Sequence, residues 1–222
     1  IENIGIIFSG LGLALLYRGM GMASLSALAL AASLYHCLNH AQFKSLLFLA
    51  TGSVLHATGQ RNLGKLGGLI HRMPWVAGLA LLGTLAMAGL PPLNGFISEW
   101  LLLQTFLFSP TLPHNLANML VPLGAPAFAL TFALAAYVLV KFYGVIFLGR
   151  SRETSLAQAH DAGWLERIGM GWLAVLCIAL GLFPVFVLRA LDQVNQSLLG
   201  ATLGDQATSW WAVVPFAADR AS

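Results

Sequence analysis

Charge is what this sequence has least of. Its 222 residues include 11 Lys+Arg and 8 Asp+Glu, so charged side chains make up 9%, against roughly a quarter in an ordinary soluble domain. The hydrophobic fraction is 58% and the mean hydropathy is +0.80. Such a chain cannot cover a water-soluble globule, and it is too apolar to be disordered. Cysteine is nearly absent: Cys37 and Cys177 each sit in an apolar run, which excludes a disulfide scaffold. The net charge of +3 is small and scattered, so no nucleic-acid surface is expected. What remains is a polytopic membrane protein. Residue 1 is isoleucine, within an apolar segment that lacks a basic n-region and a small-residue cleavage site. The chain is therefore expected to be an excerpt of a longer polypeptide.

Motifs for redox and hydrolytic chemistry are missing too. Residues 59–65 match the first seven places of a phosphate-binding loop, but Leu66 stands where Ser or Thr should hold magnesium, and no strand precedes it. There is no dinucleotide fingerprint after a strand, no cysteine spacing for a cluster and no nucleophile elbow. No redox cofactor site and no nucleophile are expected in this chain. If it serves an oxidoreductase, electrons move in other subunits.

Long apolar runs are abundant. A helix needs about 20 apolar residues to cross the hydrocarbon core. Five stretches approach this: 4–17, which is short; 23–55, polar in its middle; 75–108, interrupted by Gly89-Leu90-Pro91-Pro92-Leu93-Asn94-Gly95; 123–148; and 168–188. Period-2 alternation is absent, so the expected fold class is an all-α polytopic transmembrane helix bundle with a proline-broken helix. Residues 1–188 form its transmembrane domain. The tail 189–222 places Leu191, Val194, Leu198 and Leu199 on one face, as in a helix lying in the membrane interface, with Trp210 and Trp211 at headgroup level and a continuation missing beyond it. Arg61, Lys65 and Arg72 lie in loop 59–72, and Arg150, Arg152 and Arg167 lie in or beside loop 149–167. The opposite side has Arg18, Arg189 and Arg220, so the two loops are expected to be cytoplasmic.

Against this background a titratable group within a span is costly, by at least ~2.5–3.5 kcal/mol for a charge near the bilayer centre, and defaults to a functional role. His36, His40 and Lys44 recur every four residues, so successive members drift only ~40° around a helix and rise ~6 Å. Ser33, Thr51 and Thr58 fall on the same arc. Histidine titrates near neutrality, and such a stripe can pass protons along bridging waters. It carries no carboxylate, so the zinc-protease pattern is absent and no metal site is expected. Glu99 follows Gly95, the end of the break, by four residues and is the one acid within a span; discontinuous helices of this kind mark ion sites in transporters. Weaker candidates are Lys141, about 10 Å inside the end of its span, and His56, near the cytoplasmic end of the second. His71, His114 and His160 read as solvated loop residues.

The segments Glu2-Asn3-Ile4-Gly5, His36-x-x-x-His40-x-x-x-Lys44-Ser45-Leu46-Leu47-Phe48-Leu49, Gly67-Gly68-Leu69 and Gly89-Leu90-Pro91-Pro92-Leu93-Asn94-Gly95-Phe96-x-x-Glu99 together resemble the proton-pumping, antiporter-like membrane subunits of complex I and its relatives. Lys141 to Arg150 and Ala162-Gly163-Trp164 look most like the large membrane subunits of formate hydrogenlyase and hydrogenase-4 (component B). The resemblance implies a subunit of about fourteen or more helices, built from two inverted five-helix repeats, with this chain covering part of the second. It implies that His36, His40 and Lys44 join a central hydrophilic axis and that Glu99 stands near an outlet half-channel. It also implies that nickel–iron and iron–sulfur centres reside in partner subunits, that the partners are integral membrane subunits and a peripheral redox module, and that the complex lies in a bacterial or archaeal plasma (inner) membrane. The family's glutamate–lysine pair on earlier helices lies outside the chain. A multisubunit Na+/H+ antiporter component and a structural membrane anchor are the alternatives.

Overall fold

A single long helix organises the molecule. Residues 23–51 contain neither Gly nor Pro and are rich in Ala and Leu, the strongest helix formers. In the computed structural model, which describes residues 1–107, 112 and 115–203, they belong to one 36-residue helix, α2 (Ala23–Thr58). At 1.5 Å per residue it is about 54 Å long, enough to cross a bilayer and project beyond it. It ends where Gly59 takes the left-handed conformation (φ 65°) and its N–H bonds Leu55 O.

Most of the other helices pack along α2 and run antiparallel to it. α1 (Glu2–Gly19) joins it through a tight turn at Gly21 and runs back beside it, with Ser26 Oγ donating to Ala14 O and Ser33 Oγ to Ile7 O. α3 (Pro74–Met87) follows the far half of α2, where Gly83 meets Leu47. α4 (Asn94–Leu107) follows the near half, where Asn39 Nδ2 reaches Asn94 O. The two 14-residue helices thus form one crossing, interrupted at 88–93. α5 (Asn115–Phe147) packs on α3 and α4, and α6 (Trp164–Leu182) on α2, α3 and α4. α7 (Pro184–Leu199) crosses the beginning of α2, with Asn195 Nδ2 donating to Ala27 O. No strand occurs among the described residues.

The sequence-derived boundaries need correction in two places. The stretch 168–188 is not one helix: α6 stops at Leu182 and α7 restarts at Pro184. Proline has no N–H and pushes the residue before it out of the helical region, and Phe183 has φ −120° and ψ 48°. The fourth span starts at Asn115, eight residues early, and holds Pro122 and Pro126 within the helix; in a membrane helix, neighbours and local adjustments re-satisfy the backbone groups that proline frees. In the tail, the buried positions of α7 include Leu188 and Asn195, while Val194 and Leu198 are exposed. Trp210, Trp211, Arg220 and His114 lie outside the described residues.

Two apolar cores fill the bundle. One gathers Phe43, Leu46, Met73, Val76, Phe147, Met170 and Cys177; the other Tyr17, Leu28, Tyr35, Leu101, Leu102 and Leu188. Loops 59–72 and 149–167 meet at the first end. Gly68 N–H bonds Leu148 O, Arg152 Nη1 reaches Gly64 O, and a Cβ on Gly67 would stand 2.5 Å from Arg150 O. Arg18 sits at the other end, donating to Leu198 O. The basic loops therefore share one end of the bundle, as their charge pattern anticipates.

Candidate functional site: a polar layer between two cores

The seam between the two cores falls near the middle of α2, and it is polar. His36 is 1% exposed and joins three helices. Its Nε2 lies 3.1 Å from Asn3 Oδ1 of α1 and its Nδ1 3.0 Å from Ser98 Oγ of α4. Asn39, fully buried, donates from Nδ2 to Asn94 O at 2.8 Å and to Ser98 Oγ at 3.0 Å. Ser98 Oγ also lies 3.1 Å from Gly95 O. The Asn39 Oδ1 atom and both side-chain heteroatoms of Asn94 are buried without a nitrogen or oxygen partner, and Asn94 stands beside the Cys177 thiol of α6. Leaving such a group unpaired costs about 1–3 kcal/mol.

Glu99 is buried here too, at 7% exposure. Its carboxylate rests on the interruption between α3 and α4: a Cβ on Gly89 would stand 2.1 Å from Glu99 Oε2. Gly89 itself has φ +65°, a conformation that favours glycine. A Cβ on Gly95 would stand 1.9 Å from Ala86 O, and one on Gly181 of α6 would stand 2.1 Å from Pro92 O. Three glycines thus let the interruption close down and set Glu99 inside it. Glu2, at the start of α1, lies within electrostatic reach of both Glu99 and Lys44.

Along α2 the His40 ring stacks on that of His36 at a centroid distance of 6.5 Å, and Lys44 Nζ stands 5.4 Å over the Phe48 ring. His40 and Lys44 are half-buried. The structure therefore gathers His36, His40 and Glu99 around the seam, with Lys44 one turn beyond. The hydroxyls on the same arc do not extend the row. Ser33 bonds Ile7 O, Thr51 bonds Leu47 O and Thr58 bonds Val54 O, each a backbone carbonyl.

Lys141 stands apart, exposed on α5. His56 lies three turns past Lys44, its ring 6.4 Å from that of His160, in a cavity of about 280 Å³ shared with Ser53, Asp161 and Glu166. Ser53 Oγ donates to Glu166 Oε2 at 2.9 Å. Among the described residues no group of His, Cys, Asp and Glu is clustered so as to hold a metal ion. Reasoning from titratable residues alone overlooks Asn3, Asn39, Asn94 and Ser98. The available signal is spacing: Asn39 follows His36 by three residues and Ser98 follows Asn94 by four, so each pair shares a helix face.

Residues 9–113, from α1 past the end of α4, match the family described as NADH:quinone oxidoreductase/Mrp antiporter, TM. Residues 9–113 belong to that family. The chain's place is accordingly the membrane, and α5 and α6 are each long and apolar enough to cross one. The chain is 42% identical over 192 residues to formate hydrogenlyase subunit 3 of Escherichia coli (strain K12), covering 86% of the chain and 32% of that protein. It is 38% identical over 183 residues to hydrogenase-4 component B of the same strain, covering 82% of the chain and 27% of that protein. It thus spans about a third or less of the length of these relatives. A subunit in the structure of the membrane-bound sulfane sulfur reductase, an archaeal respiratory membrane complex, superposes with a TM-score of 0.67 at 27% identity, covering 90% of the chain and 34% of the other.

Proposed function

We propose that this chain is part of a proton-translocating membrane subunit of a hydrogenase- or NADH:quinone-oxidoreductase-like complex, and that the polar layer carries the proton. The observation that bears most weight is His36: a titratable ring sealed between α1, α2 and α4, hydrogen-bonded through both nitrogens, with Glu99 adjoining one of its partners. Ionisable groups at membrane depth default to ion pathways because burying them otherwise only costs stability. In this reading the proton steps between Lys44, His40, His36 and Glu99. The unpaired amide atoms of Asn39 and Asn94 supply hydrogen-bonding positions for bridging water. His56 and Lys141 are secondary: His56 would serve with His160 and Glu166 at the end of the bundle that carries the basic loops, the end proposed to be cytoplasmic.

Nickel–iron and iron–sulfur chemistry would reside in partner subunits, a peripheral redox module and other integral membrane subunits, within a bacterial or archaeal plasma membrane. Electron transfer there would bias protonation here. The transmembrane domain would run to about residue 188, followed by an interfacial tail.

The test is proton uptake by sealed vesicles carrying the full-length protein in its complex. Lys44→Ala and Glu99→Gln should each slow translocation by on the order of 100-fold, the lower end of what one positioned proton-transfer group contributes. Unchanged translocation in both would leave only a structural anchor. The family description also names Mrp antiporters; co-purification of a redox module favours the oxidoreductase reading, and sodium-coupled exchange without one favours the antiporter.

A further inference from the structure

We infer that Ser98 is a positioning residue whose single hydroxyl proton reports the protonation state of His36 to the helix that carries Glu99. This rests on the proton-conduction reading and deepens it. Ser98 Oγ has three neighbours within hydrogen-bonding distance: Asn39 Nδ2 at 3.0 Å, His36 Nδ1 at 3.0 Å and Gly95 O at 3.1 Å. Asn39 is a fixed donor, because its Nδ2 also bonds Asn94 O at 2.8 Å, and turning the amide over would set two carbonyl oxygens against each other. The other two neighbours compete. A hydroxyl has one proton to give, and it can go to the imidazole or to the carbonyl, not to both.

Asn3 decides which nitrogen of His36 carries the proton when the ring is neutral. Its Oδ1 accepts from Nε2–H, so Nδ1 is left with a lone pair facing Ser98. In the neutral state Ser98 therefore donates to Nδ1. When Nδ1 gains a proton it becomes a donor; Ser98 Oγ must then accept, and its own proton turns to Gly95 O. That carbonyl is the one the Glu99 amide addresses in the i to i+4 register of α4. Each protonation of His36 thus changes the load on the first turn of α4, where Gly95 meets Ala86 O and Glu99 meets Gly89. His40 on α2 faces the ring, while Glu2 on α1 and Glu99 on α4, next in sequence to Asn3 and Ser98, lie within electrostatic reach of each other; Ser98 Oγ hydrogen-bonds none of the three.

The experiment compares Ser98→Ala, Ser98→Cys, Ser98→Thr and His36→Gln in the full-length protein in its complex. Proton translocation in sealed vesicles is measured across pH, and 15N spectra are taken of the histidine-labelled protein, with His36 assigned by the H36Q variant. One hydrogen bond is worth about 0.5–1.5 kcal/mol net, so S98A should slow translocation about two- to tenfold and alter its pH profile. S98C, matched in size but a weak donor, should follow S98A, whereas S98T, which keeps the hydroxyl, should retain the wild-type rate and profile. The Nδ1 resonance of neutral His36 should move toward that of an unbonded ring nitrogen in S98A and stay in place in S98T. Loss of translocation in H36Q with wild-type behaviour in S98A, equal losses in S98A and S98T, or an unmoved Nδ1 resonance in S98A would overturn the role of Ser98 while conduction through His36 stands. Wild-type translocation in H36Q would overturn conduction through His36, and the role of Ser98 with it.

Discussion

Gly181 shows how closely the helices approach around Glu99. A Cβ placed there would stand 2.1 Å from Pro92 O and 2.7 Å from Leu93 C, both backbone atoms that cannot swing aside. Gly181→Ala should therefore destabilise the bundle by about 1–3 kcal/mol, the usual cost of overpacking. It should appear as a lower thermal midpoint of the purified protein. Gly171, on the same helix with nothing within 4 Å of its Cβ position, is the control, and Gly171→Ala should leave the midpoint unchanged or raise it, since alanine is the better helix former. At this scale the sequence is legible wherever a residue is expensive in a membrane. His36 and Glu99 stand out because an ionisable group in an apolar run needs a reason. Asn39, Asn94 and Ser98 do not stand out, because neutral amides and hydroxyls are cheap enough to occur on any helix. Only the fold shows that Ser98 meets the His36 ring and that Asn39 ties it to Asn94.

Helix ends are less legible than helix existence, and the reason lies in who caps them. α3 begins at Pro74 with no cap from its own sequence neighbours. Its first amides are held by Asp161, from the loop after α5: Trp75 N–H bonds Oδ2 at 2.9 Å and Val76 N–H bonds Oδ1 at 3.3 Å. Arg167 holds Asp161 in place at 3.7 Å and lies over the Trp75 ring. No window around residue 74 can reveal a cap that comes from 86 residues away. Asp161→Ala should cost about 1 kcal/mol and speed hydrogen exchange at the Trp75 and Val76 amides roughly fivefold. Asp161→Asn, which keeps one acceptor oxygen, should fall between. The division of 168–188 into α6 and α7 falls at Pro184, which pushes Phe183 out of the helical region, but Pro122 and Pro126 lie inside the continuous α5, so proline alone does not tell a break from a helix that runs on.

At the scale of the whole molecule, the two apolar cores and the polar layer between them repeat the order of the α2 sequence: apolar to Tyr35, polar through Lys44, then apolar again to Val54. Water at both ends satisfies the loops, and a polar layer at mid-depth must be satisfied from within. Of the five stretches named from hydropathy, three survive as single helices, α1, α2 and α5, and two divide at prolines; all are helical because length and apolarity are properties of each segment alone. The hydrogen-bond network of the layer was not readable because it depends on which helices are neighbours. The direction of the proposed proton movement depends in turn on which end faces the cytoplasm. Loops 59–72 and 149–167 meet at one end, carrying Arg61, Lys65, Arg72, Arg150 and Arg152, and the α1–α2 turn lies at the other. Basic residues near helix ends are retained on the cytoplasmic side. In a cysteine-free background of the full-length protein, Arg61→Cys and Arg152→Cys should react with a membrane-impermeant maleimide in inside-out vesicles and resist it in right-side-out ones. Ala23→Cys, exposed at the start of α2, should do the reverse. The opposite pattern would invert the molecule and with it the side from which Lys44 would receive a proton in the proposed path, while leaving the polar layer itself intact.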